Sequence, residues 1–114
     1  MWLFLSSGFL SIVDKCADPE SLLVRARRSE HIRQYFPNAE IVETIGNDYQ
    51  FRAVVKRQVI ADVITAQVMS LDYNNFKNSI KNLDLHHAAS KVWHTMADLQ
   101  PAPPYAIAKR SRRK

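Results

Sequence analysis

The chain has 114 residues, 46% hydrophobic and 10% aromatic, which suits one globular domain with its own buried core and excludes a disordered polymer. The formal charge of +5 suggests a nucleic-acid partner until it is located: Lys109, Arg110, Arg112, Arg113 and Lys114 supply five positive charges in the last six residues, and the rest of the chain balances 11 basic against 11 acidic groups. Cys16 is the only cysteine, which excludes an intramolecular disulfide and favours a reducing, cytoplasmic setting.

Residues 1–13 are apolar, but Ser6, Ser7 and Gly8 interrupt them, no basic leader precedes them, and they are too short to span a membrane. They read as strand segments 2–5 and 9–13, forming either a hairpin or one strand bent at a glycine bulge. A strand that begins at residue 2 is also an edge open to pairing with a second copy, so a homo-oligomer is one expectation. After the turn Ala17-Asp18-Pro19-Glu20, Leu22, Val24 and Ala26 alternate with Leu23, Arg25 and Arg27, a half-buried strand with arginines outside. Ser29 is placed to cap a short helix carrying Ile32, Tyr35 and Phe36 on one face and ending at Pro37.

Residues 40–45 and 49–55, around Gly46-Asn47-Asp48, predict a hairpin with Tyr49, Phe51, Ala53 and Val55 inward and Gln50 and Arg52 outward. From Lys56 the period lengthens, and Ile60, Val63, Ile64, Val68 and Leu71 mark a helix over 56–70 packed on the sheet. Asp72 is expected to cap a further segment with Phe76, Ile80 and Leu83 as its apolar side. Leu85, Ala88, Ala89, Val92, Trp93, Met96 and Leu99 recur at helical spacing, with Asp84 as cap and Trp93 and Met96 as core anchors, until Pro101, Pro103 and Pro104 stop the helix. The order predicts an α+β two-layer sandwich: an antiparallel sheet, helices on one face and a C-terminal helical extension, ferredoxin-like in flavour without the strand that should follow the second helix. One domain over 1–100 is expected, then a Pro-containing linker and disordered basic tail over 101–114.

Several stretches, Met1-Trp2-Leu3-Phe4, Gly8-Phe9-Leu10-Ser11-Ile12-Val13, Leu23-Val24-Arg25-Ala26-Arg27, Tyr49-Gln50-Phe51-Arg52, Asp72-Tyr73-Asn74-Asn75-Phe76-Lys77 and Val92-Trp93-His94-Thr95-Met96, resemble a family of small uncharacterised bacterial proteins. The likeness runs from residue 1 to about 100 and implies a bacterial or phage-borne cytoplasmic protein, with no activity or catalytic residue attached.

Four groups of residues are candidate sites. Tyr73 and Lys77, four apart on an expected helix, with Asn74 and Asn75, could bind an anion or assist proton transfer; the same residues also suit a cap and a turn around a core Phe76. Arg25, Arg27 and Arg52 fall on outward strand positions and could meet phosphate, RNA backbone or an acidic protein surface, or simply be solvated. The tail arginines and lysines named above could add salt-dependent nucleic-acid affinity. His86, His87 and His94 lack the four-residue spacing and carboxylate or thiolate partners of a metal site, so no metal and no cofactor are expected. Without a Gly-rich phosphate loop, GxSxG or CxxC, the leading expectation is a non-enzymatic binding module docking onto a protein or protein–nucleic-acid partner. The competitors are a mobile-element inhibitor of a host defence or nucleic-acid-processing complex, and a small enzyme using Tyr73, Lys77 or a histidine.

Overall fold

A computed structural model describes residues 1–105. Trp2–Leu5 (β1) and Gly8–Val13 (β2) pair as an antiparallel hairpin turning at Ser6-Ser7, which decides between the hairpin and the bent strand. Ser21–Ala26 (β3) pairs with β2 on one side and with Phe51–Lys56 (β5) on the other, and Val42–Glu43 (β4) lies outside β5. The result is a five-stranded antiparallel sheet of order β1-β2-β3-β5-β4. The strand expected over 40–45 shrinks to two residues: Ile41 packs against the core, but Val42 and Ile45 are both exposed. The helices are Ser29–Arg33 (α1), Arg57–Met69 (α2), Phe76–Ser79 (α3) and Leu83–Ala97 (α4). The molecule is therefore α+β, an antiparallel sheet with a C-terminal helix, as the sequence predicts; α1 and α2 share one face of the sheet, while the C-terminal extension covers the other and adds a third layer to the expected two.

Strand alternation divides the side chains between two faces. Leu10, Ile12, Val24, Ala26, Ala53 and Val55 share one face, where they pack with Ile32, Phe36 and Ile60 brought by α1, the turn after it and α2. The stripe of α2 is used only at its start: Ile60 is buried, Val63 and Ile64 are partly buried, and Val68 and Leu71 are exposed. Gly8 allows the approach of α1, since a Cβ there would lie 3.1 Å from both Cα and Cβ of His31. Phe4 and Phe9, cross-strand partners, project from the opposite face and carry the C-terminal helical extension through Phe76, Ile80, Leu85 and Ala89. Phe4 stands edge-on to Phe9 and to Phe76, each with ring centroids 5.2 Å apart.

Three helix starts differ from the expected ones. Arg28, not Ser29, is the N-cap of α1, and it offers no side-chain bond. Asn75, not Asp72, caps α3, its Oδ1 accepting from the Asn78 amide at 3.1 Å. Asn82, not Asp84, caps α4 by accepting from the Leu85 amide at 3.0 Å. Asp84 is drawn instead into an ion pair with Arg28, 3.0 Å away across the fold. Helix α2 begins with Lys56 and Arg57 and has no acid in its first turn, an unfavourable charge for the positive end of a helix. The loop between β2 and β3 supplies the missing carboxylates. Asp18 pairs with Lys56 and Asp14 with Arg57, while Arg57 Nε donates to the Pro19 carbonyl at 2.9 Å. Held by Lys56 first, then by the Glu20 amide and the Ser21 hydroxyl, the Asp18 carboxyl is lowered to about 2.

Candidate binding site

The structure brings the three strand arginines together, around a tyrosine on an unexpected side. Arg25 and Arg52 are direct cross-strand partners. Tyr49 precedes β5 and escapes its alternation, so its ring turns toward the arginine face, with the guanidinium carbons of Arg25 and Arg27 at 4.7 and 4.6 Å from its centroid. The expectation that Tyr49 points inward with Phe51, Ala53 and Val55 is thus corrected: two cation–π contacts compensate its departure from the core, and the ring is still almost fully buried. Arg25 also donates to Ser11 Oγ at 2.7 Å, Arg27 to the Asp48 carbonyl at 3.3 Å, and Arg52 to Asp48 Oδ1 at 3.3 Å. Each of the three guanidiniums is thus tied to the fold by at least one bond while keeping further N–H donors, and the Tyr49 ring is already flanked by the positive charge with which it would stack.

The segment 72–77 is dispersed. Residues 72–75 are not helical, so Tyr73 and Lys77 do not share a helical face as the spacing suggested. Asn75 is used as a cap, which is why the helix starts three residues later than expected. Tyr73 is half-buried with its ring 5.8 Å from that of Phe76. Lys77 turns to α4, its Nζ 5.0 Å from the centre of the Trp93 ring. Asn74, Asn75 and Lys77 line a groove of about 500 Å³ with Phe4, Phe76 and Trp93. Lys109, Arg110, Arg112, Arg113 and Lys114 lie outside the described residues.

Two features were not singled out from the sequence. The first is His31, a nearly buried residue of α1 whose Nδ1 accepts from the Phe9 amide at 3.2 Å. An acceptor nitrogen carries no proton, so the neutral ring bears its hydrogen on Nε2. Desolvation pushes the imidazole below its ordinary value. His31 stands between two cavities. One, of about 660 Å³, is polar and includes Ser6, Tyr73 and Asn82; the other, of about 300 Å³, is walled almost entirely by carbon. Only the fold juxtaposes these residues, and no motif around His31 announces it.

The second is the distal half of α4. Leu85 and Ala89 are buried, but Val92, Trp93 and Met96 are 46, 36 and 55% exposed, and Leu99, in the turn that follows the helix, is 75% exposed. The expectation that Trp93 and Met96 anchor the core is corrected: the helix extends past the pair of phenylalanines that cover its first turns. Trp93 instead stacks on Tyr105, with centroids 6.5 Å apart and planes 18° from parallel. His86 meets the Lys77 carbonyl through Nδ1 at 2.7 Å, and among the described residues no group of three or more metal-ligating side chains is close enough to hold an ion. Among the same residues no helix is long and apolar enough to cross a membrane. Comparison with protein-family models, with curated proteins and with solved structures finds no match.

Proposed function

We propose that the chain is a non-enzymatic docking module that engages a protein partner through the distal face of α4, in a cytoplasmic setting of the bacterial or phage-borne kind its sequence pattern resembles. The observation that carries this reading is the run Val92, Trp93 and Met96 on α4, continued by Leu99 in the turn after it, left largely exposed although the stripe's first residues are buried. Such a face is the apolar half of a helix-in-groove contact, with an aromatic and a methionine as adaptable anchors. Nucleic acid is the weaker partner, because the Tyr49 ring on which a base would stack is buried and already flanked by Arg25 and Arg27, leaving the tail as the main source of phosphate affinity.

A photo-crosslinking side chain placed at Met96 in the native host, with the same group at the exposed sheet residue Val54 as control, tests the reading. A single discrete protein adduct from position 96, absent from position 54 and lost on Leu99→Glu, is expected. No adduct, or the same adducts from both positions, overturns it.

A further inference from the structure

The carbon-walled cavity lies where α4 rests on the sheet. Phe4 and Phe9 line it from β1 and β2, and Leu85, Ala88 and Val92 from a single face of α4. Its volume of about 300 Å³ is on the order of twice that of a dry apolar cavity known to hold one benzene ring. Four residues with polar ends also border it, chiefly through carbon, and they come from three elements: Arg27 and Arg28 from the connection between β3 and α1, Asp84 from α4, and His31 from α1. With His31 neutral, these groups leave one net positive charge beside an apolar chamber. Each guanidinium has five N–H donors, and Arg27 and Arg28 each donate one side-chain bond within the fold, to the Asp48 carbonyl and to Asp84 respectively. The ion pair of Arg28 with Asp84 is itself largely exposed, so an exchange of carboxylates there is cheap.

We propose that this cavity binds an amphipathic monocarboxylate, a medium-chain acyl or arylalkyl acid. The apolar body lies between the two phenylalanine rings and the α4 face, and the carboxylate accepts from Arg27 and Arg28. The fork of a guanidinium matches the two oxygens of a carboxylate, and the apolar lining rejects a polar body. Asp84 competes with the ligand for Arg28 and repels it. The site meets the distal face of α4 at Val92, which borders both, but it does not depend on the docking reading.

Sodium decanoate and 4-phenylbutyrate titrated into the full chain, followed by calorimetry and by amide NMR shifts, test the proposal, with decanol as the uncharged comparison. Either acid is expected to bind with a Kd on the order of 100 μM, and decanol about tenfold more weakly than decanoate, the worth of one charge-assisted hydrogen bond. Ala88→Trp, which fills the chamber, is expected to abolish binding with the helix signal retained. Asp84→Asn is expected to tighten acid binding several-fold and leave decanol unchanged, and it carries the test if Ala88→Trp does not fold. The proposal is overturned if neither acid binds below about 1 mM. It is also overturned if decanol matches decanoate, if folded Ala88→Trp binds as wild type does, or if Asp84→Asn leaves acid binding unchanged or weaker.

Discussion

Nine buried side chains fill one face of the sheet, contributed by β2, β3, β5, α1, the turn after it and α2, whereas the opposite face holds α3 and α4 with only three: Ile80, Leu85 and Ala89. The first cluster joins residues from 10 to 60, so it cannot open without losing the sheet. The second fastens one continuous segment, Phe76 included, by a few contacts with Phe4 and Phe9. Local stability follows the number of buried apolar contacts, so the segment carrying α3 and α4 is the part that opens first. Both proposed binding surfaces lie on that looser segment or at its seam.

Removing a side chain from each cluster separates the two most sharply. Leu10, fully buried, should cost about 3–5 kcal/mol as Leu10→Ala, with amide protection lost throughout the molecule in hydrogen exchange. Leu85→Ala should cost about 2–3 kcal/mol, with the loss concentrated in residues 76–97 and the sheet amides little changed. Equal loss at every amide in Leu85→Ala would mean that the faces open together, and the contrast would fail. A milder change is Asn82→Ala, which removes the cap of α4 and should cost about 1 kcal/mol, read in the same segment.

The smallest effect is the titration of His31, which stands at the seam. Its folded value lies below the ordinary 6.5, so the neutral ring contributes stability that is fully present above pH 6.5 and declines as pH falls through the lowered folded value. Urea midpoints should therefore drop on acidification below pH 6.5, and the drop should be smaller in His31→Asn, whose side-chain oxygen can still accept from the Phe9 amide. A mutant curve parallel to wild type would assign the pH response to other groups.

Period and alternation made the main elements legible: the strands at 2–13, 21–26 and 51–56 and the helices at 57–69 and 83–97 stand close to where apolar spacing puts them. The caps were not, because each true cap has a rival within a few residues and tertiary contacts choose between them. Asp84 looks like a cap until Arg28, distant in sequence, claims it. Tyr49 misled for a similar reason: period-two reasoning stops where β5 stops, and two guanidiniums draw the ring to the other face. The apolar stripe of α4 was visible, but periodicity gives the direction of a face and not its cover, so Trp93 and Met96 read as core. The convergence of Arg25, Arg27 and Arg52 was half legible. Their shared face follows from alternation, whereas their engagement with Asp48 and Tyr49 depends on the path of an irregular loop.

The carboxylates that the loop between β2 and β3 lends to the start of α2 also govern access to a backbone bond. Lys15 is exposed within that loop, flanked by Asp14 and Asp18, whose pairs with Arg57 and Lys56 are both solvent-facing. Salt shortens the Debye length from about 10 Å at 0.1 M to about 3 Å at 1 M, so these clasps weaken as ionic strength rises while the apolar face beneath them does not. Trypsin should therefore cut after Lys15 faster in high salt, relative to its other sites, making the loop a proteolytic gauge of how tightly sheet and helix are clasped.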